Sequence, residues 1–192
     1  MLEGILTRRH VGMRMKITVK ALVSAGIIAL AVILPQLVHL AAGATGGAAW
    51  LPMYLPVLIG GCLLGPVWGL SVGVLSPIVS FLCTLAFGNP MPAASRLPYM
   101  IVELAVFAAV SGAFSKIIAK NKYTAFLAVP SAFVAGRAAF LLLAVIFQTV
   151  SPLSFAIAWA QVQSGLIAAA VQCVIVPAVV IALSVFFDRA EE

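Results

Sequence analysis

The feature that most restricts this chain is the length of sequence that carries no charge. No Lys, Arg, Asp or Glu occurs from Ala21 to Ser95, and none occurs from Ala138 to Phe187. A soluble domain needs charged side chains over its surface to stay dissolved. The chain is 64% hydrophobic and only 8% charged. We therefore expect lipid, rather than water, to surround most of it.

The uncharged segments indicate helices. Runs such as AAAVQCVIVPAVVIALSVFF do not alternate apolar and polar residues, as the strands of a membrane barrel do. A helix satisfies its own backbone hydrogen bonds and crosses the bilayer with about 20 apolar residues. We predict an all-α integral membrane protein, a six-transmembrane-helix bundle over 19–187. A basic segment, 1–18, precedes the bundle and a short tail, 188–192, follows it.

The six predicted spans cover 19–41, 51–64, 67–87, 97–119, 124–150 and 158–187, the last with a tilted or interfacial start. Most basic residues fall at one side of this arrangement, as the positive-inside rule requires when both termini are cytoplasmic. Arg96 is then outside. The net charge of +6 thus indicates topology rather than a nucleic-acid partner. The basic residues assigned to the cytoplasm are Arg8, Arg9, Arg14, Lys16, Lys20, Lys116, Lys120, Lys122 and Arg189.

Glu103 and Arg137 are the two charged residues inside predicted spans. A lone charge at the bilayer centre costs about 3 kcal/mol or more, so such side chains usually face a partner or a cavity. Glu103 is placed roughly 9 Å below the outer end of the fourth span and Arg137 near the midplane. Two interpretations stay open and can coexist: an ion pair between helices, and contacts to a bound solute.

Several uncharged polar and aromatic residues extend this candidate site. Gln163 and Gln172 lie on the last span, where an unpaired amide is costly, so each is expected to bond a solute or another helix. His39, Trp50 and Tyr54 flank a loop rich in Gly and Ala. These three are either residues of the interfacial belt or part of a lid over an outward-facing site.

A stripe of small residues, Ala21, Ala25 and Ala29, recurs every four residues on the first span. Such a stripe allows another helix to approach closely. The second helix could belong to a partner subunit or to the same bundle.

The sequence holds none of the common catalytic or nucleotide-binding motifs. It has no P-loop, no HExxH and no GxSxG, and its three cysteines are isolated in apolar segments. We therefore expect neither an enzyme nor an ATPase, and no metal or cofactor.

The ordered set of segments resembles the S component, the substrate-binding membrane subunit, of energy-coupling factor (ECF) vitamin transporters. The resemblance covers most of the chain from Lys20 onward. It rests on the alanine stripe and on four stretches: LPMYLPVLIGGCLLGPVWGLSVGVLSPIVSFL, NPMPAASRLPYMIVELAVFAAVSG, AGRAAFLL and VQSGLIAAAVQCVIVPAVVIAL.

The resemblance implies a bundle in a prokaryotic plasma membrane that captures a vitamin-like molecule from outside. A transmembrane coupling subunit, driven by two ATPase subunits, would contact the stripe Ala21, Ala25 and Ala29. The bundle would then topple, that is, rotate within the membrane, and release the bound molecule into the cytoplasm. A first loop, from His39 to Tyr54 and including Trp50, would cover the pocket. The residues implied to line that pocket are Asn89, Glu103, Arg137, Gln163 and Gln172.

Two other functions remain open at this point. An autonomous secondary transporter or channel for a small polar solute would need no ATPases, although the chain shows no clear inverted repeat. A membrane scaffold would not need its deep polar residues for activity. The identity of the vitamin is also open.

Overall fold

The computed structural model describes residues 12–88, 90–149 and 153–189; most of these residues are helical, and none of them is in a strand. The all-α prediction is therefore confirmed. In chain order the α-helices are α1 (Met13–Trp50), α2 (Tyr54–Leu64), α3 (Pro66–Leu85), α4 (Leu97–Ala113), α5 (Ser115–Lys120), α6 (Ala125–Ile146), α7 (Phe155–Ser164) and α8 (Leu166–Arg189), with a 3₁₀ turn at Lys122–Thr124.

Five segments of the described chain are long and apolar enough to cross a membrane. They are Met13–Gly43, Pro66–Leu85, Leu97–Lys120, Lys122–Ile146 and Leu166–Phe186. Large apolar side chains on their outer faces are exposed, including Leu22, Leu37, Val134 and Ile167. This outward apolar surface is what a multi-pass protein in lipid requires.

Helix α2 differs from the other segments because it is short and central. Its 11 residues extend about 16 Å, roughly half of the hydrocarbon core. Nine of the 11 are buried, and they lie on all sides of the helix. A helix that is apolar all round belongs inside a bundle, which explains why α2 carries no polar stripe. The sequence predicted this short segment, and the structure makes it the core.

Two predicted boundaries were wrong. The segment after the first span, predicted as a loop, is helical again to Trp50 after a single non-helical residue, Gly43, with φ 67° and ψ −173°. The predicted last span over 158–187 is divided at Gly165 into the short α7 and the long α8. In addition, α1 begins at Met13, so its first turns include part of the basic N-terminal segment.

Helix α1 lies at the periphery of the bundle. Only 17% of its most apolar window is buried, against 28% to 44% in the other four long segments. Its inward face carries Ser24, Ile27, Ala31 and Pro35, which are buried. Ala21, Ala25 and Ala29 are exposed, so this stripe does not pack inside the described bundle.

Helices α3 and α4 pack at very short range because glycines lie at their interface. A Cβ added at Gly73 would lie 2.5 Å from the carbonyl oxygen of Leu104. Gly69 and Gly112 are similarly tight against backbone of α2, α3 or α4. Small residues of this kind let helix backbones approach closely in a membrane, where apolar side chains alone give little driving force for association.

We expect Gly73→Ala to destabilise the bundle by about 1–3 kcal/mol, because the methyl group overpacks a backbone contact. The matched control is Gly26→Ala, where a Cβ meets nothing within 4 Å and where Ala stabilises a helix by up to about 1 kcal/mol. Unfolding of both variants in detergent micelles checks the comparison. Equal stabilities would contradict the close packing of α3 on α4.

Candidate functional site

The two deep charges of the sequence contact each other. Nη1 of Arg137 on α6 lies 2.9 Å from Oε1 of Glu103 on α4. The hydroxyl of Tyr54, at the start of α2, donates a 2.6 Å hydrogen bond to the other carboxylate oxygen of Glu103. The carboxylate is fully buried. Of the two interpretations left open by the sequence, the structure therefore supports the ion pair for these residues.

An aromatic cluster packs beside this pair. The guanidinium carbon of Arg137 lies 5.2 Å from the ring centroid of Tyr54, within the range of a cation–π interaction. Tyr54 and Phe107 have centroids 5.0 Å apart, and Phe107 and Phe133 have centroids 5.1 Å apart. In such an apolar setting an ion pair is costly to break, because either partner alone would be an uncompensated buried charge.

Arg137 retains hydrogen-bonding capacity. Beyond the 2.9 Å ion-pair contact of Nη1 with Glu103, neither Nη1 nor Nη2 has a hydrogen-bond partner among the described residues. Nη2 is close to the junction of α7 and α8: a Cβ at Gly165 would lie 3.0 Å from it and 2.8 Å from Cδ1 of Leu51. The missing side chain at Gly165 thus gives room for both Arg137 and Leu51.

Gln172 on α8 holds the turn between α1 and α2. Its Nε2 donates to the carbonyl oxygens of Trp50 and Leu51, at 3.1 and 3.0 Å. Leu51 has left-handed backbone angles, φ 49° and ψ 48°, which cost a residue with a Cβ about 1–2 kcal/mol. The two hydrogen bonds from Gln172 offset this strain and fix the turn in place. Gln172 therefore bonds another part of the bundle.

A cavity of about 480 Å³ opens beside this turn. We call this end of the bundle, which carries Trp50–Tyr54 and the segment 90–96, the cavity end. Helix α1 contributes Pro35 and His39, the turn contributes Leu51, Pro52, Met53 and Tyr54, and α7 contributes Gln161. The remaining wall comes from Ser80 on α3, from Met100 on α4, and from the segment before α4, Pro90 to Ala93 and Arg96.

Hydroxyl groups on α3 anchor the segment that closes this side of the cavity. Ser80 donates to the carbonyl oxygen of Met91 at 2.8 Å, and the amide of Met91 donates to Oγ1 of Thr84 at 2.7 Å. Ser76 bonds back to the carbonyl of Val72. Ser76, Ser80 and Thr84 recur every four residues on α3. Ser76 bonds to the backbone of its own helix, whereas Ser80 and Thr84 hold Met91 in the cavity wall.

The structure brings some of the predicted site residues together and leaves others apart. His39 and Tyr54 line the cavity, whereas Glu103 and Arg137 lie behind Tyr54 and Leu51 and do not line it. Trp50 contributes its carbonyl oxygen to Gln172, and its side chain is half exposed. The prediction for Asn89 lies outside the described residues.

Gln163 and its neighbour Gln161 have opposite surroundings. Gln163 is exposed, and Gln161 lines the cavity with a buried Oε1 that has no partner among the described residues. Residues two apart on a helix lie on different faces. Gln161 and Gln163 therefore cannot both face the interior of the bundle. The sequence alone does not show which of the two does. Arg96, Met91 and Met100 were also missed as lining residues.

Within the described parts of the chain, no group of three or more His, Cys, Asp or Glu side chains comes close enough to hold a metal ion. Comparison with known protein families, with curated proteins and with solved structures finds no match to this chain.

We expect Arg137→Met and Glu103→Gln each to destabilise the protein, Arg137→Met by about 3–5 kcal/mol, because it leaves a buried carboxylate uncompensated. The double variant should lose less than the sum of the two single losses. Denaturant unfolding in detergent measures all three. The control is Lys120→Met, which removes an exposed charge and should change stability by less than about 0.5 kcal/mol. Additive losses would contradict the ion pair.

Proposed function

We propose that this chain is the substrate-binding membrane subunit of an ECF-type uptake system. It captures a vitamin-like small molecule at the outer face of a prokaryotic plasma membrane and delivers it to an ATP-driven coupling module. The observation that carries the proposal is the 480 Å³ cavity at the cavity end of the bundle. Clefts of this size, mostly apolar with a few polar groups, are typical sites for compact organic ligands.

The orientation in this proposal has six membrane segments, with α2 as the short one, and both termini in the cytoplasm. It is supported by the position of the basic residues along the helices. Lys116, Lys120 and Lys122 follow the end of α4, far along the chain from the cavity wall, whereas Arg96 precedes α4 and lines the cavity. By the positive-inside rule the cavity end faces outward. An outward cavity suits capture from the surroundings.

Energy must come from partner subunits in this proposal. The sequence has no P-loop, so ATP hydrolysis belongs to two separate ATPase subunits that act through a transmembrane coupling subunit. We assign to that coupling subunit the exposed stripe on the peripheral helix α1, which consists of Ala21, Ala25 and Ala29. Its small side chains allow close helix contact within the membrane. The chain itself is a binding protein, not an enzyme.

We expect purified protein to retain one small organic molecule, detected by native mass spectrometry, and to gain thermal stability with that molecule. The gain follows because a ligand that binds only the folded state stabilises it. In liposomes the chain alone should not accumulate the compound, whereas the complete ATP-driven complex should. Uptake by the chain alone would instead favour the alternative, an autonomous secondary transporter or channel. No bound compound in any preparation would contradict the proposal.

We expect Ala25→Trp to abolish ATP-driven uptake while ligand binding to the isolated chain survives, because an indole prevents close approach of a partner helix. The matched control is Val134→Trp on α6, where the native side chain is already 72% exposed. Uptake by membrane vesicles and ligand binding in detergent are measured for both variants. Normal uptake with Ala25→Trp would exclude the stripe as the coupling surface.

A further inference from the structure

The charge of the cavity end restricts what the cavity can hold. The chain has five acidic residues: Glu3, Glu103, Asp188, Glu191 and Glu192. In the parts of the chain that the structure describes, none of the residues that line the cavity is acidic. Glu103 is fully buried, pairs with Arg137 and accepts a hydrogen bond from Tyr54. A ligand in the cavity therefore meets no carboxylate among the described lining residues.

The cavity instead presents a cation. Arg96 lines it, and its guanidinium is charged at any physiological pH. His39 adds an imidazole from α1. A cationic ligand in the cavity would be repelled by Arg96. The Tyr54 ring, which could otherwise hold a cation on its face, already carries the guanidinium of Arg137.

The other residues of the cavity wall indicate what kind of ligand would fit beside the charged group. Met53, Met91 and Met100 line the cavity together with several prolines, and methionine side chains adapt to an apolar surface of irregular shape. The hydroxyl of Ser80 is already donated to Met91. The Oε1 of Gln161 has no partner among the described residues, so it can accept a hydrogen bond from an N–H or O–H group.

Resting on the proposed function, we infer that the captured molecule is an organic anion. It carries a carboxylate or a similar acidic group toward Arg96 and His39, a compact apolar body against the methionines, and a hydrogen-bond donor for Gln161.

Matched pairs of compounds test this inference on the full chain in detergent. The pairs, each an acid with its neutral counterpart, are nicotinate with nicotinamide, pantothenate with pantothenol, and biotin with biotin amide. Thiamine is added as a cationic compound. Calorimetry measures affinity, and native mass spectrometry identifies any compound that co-purifies. We expect the acid of one pair, or a co-purified acid, to bind about 10- to 100-fold more tightly than its neutral counterpart, as a charge-assisted hydrogen bond allows.

The outcomes separate this inference from the proposed function. A bound compound that is neutral or cationic, or a neutral counterpart that binds as well as its acid, overturns the inference and leaves the proposed function intact. If no compound binds or co-purifies, the proposed function fails, and the inference fails with it.

Variants at Arg96 test the residue assigned to the anion. Arg96→Gln should weaken binding of the acid about tenfold, leave the neutral counterpart unchanged, and leave the unfolding midpoint without ligand unchanged because Arg96 is exposed. Arg96→Lys should restore part of the affinity, and added salt should reduce the wild-type preference for the acid. Lys120→Gln, which removes an exposed charge far from the cavity lining, is the control. Unchanged binding of the acid by Arg96→Gln would overturn the assignment.

Discussion

A single carboxylate in the apolar interior sets the arrangement of this bundle. Glu103 can stay in a membrane helix only if an opposite charge and hydrogen-bond donors reach it. Arg137 supplies the charge from α6, and Tyr54 supplies a hydroxyl from α2. These contacts join three helices around one point. The short helix α2 is thereby fixed in the centre, where its uniformly apolar surface is buried on every side.

The same cluster fixes one wall of the cavity. Tyr54 contacts Glu103 and also lines the cavity, and Leu51, three residues earlier, shares the space beside Gly165 with Arg137. Gln172 holds the backbone of this turn from α8. The ion pair and the cavity are therefore separate in space but mechanically connected. A loss of the ion pair would displace Tyr54, so reduced binding in such a variant would not by itself identify Arg137 or Glu103 as ligand contacts.

The parts of this fold that the sequence predicted are those set by a single physical rule. Long uncharged runs must be helices in lipid. The run 51–64 was expected to be one of six spans, whereas α2 is shorter than the five segments long enough to cross a membrane. For the two deep charges, the ion pair was one of two open interpretations. The wrong boundaries have tertiary causes. The Ser-Gly pair in QVQSGL is only a weak local signal for the division at Gly165, and what makes a glycine necessary there, the room taken by Leu51 and Arg137, is tertiary.

The candidate site was only partly predictable for a similar reason. Gln161 and Gln163 are chemically identical, and only the packing of α7 decides that Gln161 lines the cavity and Gln163 is exposed. Arg96 was used as a marker of topology, although the one basic residue expected at the outer surface was also a signal for an anion. That signal becomes specific only when the segment before α4 folds over the cavity, held by Ser80 and Thr84.

Helix α1 connects the two surfaces that the proposed function requires. Its outward face carries the exposed stripe Ala21, Ala25 and Ala29, and its later turns place Pro35 and His39 in the cavity wall. The most apolar window of this helix is the least buried of the five long segments, so much of its surface faces away from the bundle. Pro35 lies within this helix, between the stripe and His39. In the proposed function, one helix therefore carries both the partner surface and part of the ligand site, outside the α2, α4 and α6 core that the ion pair holds together.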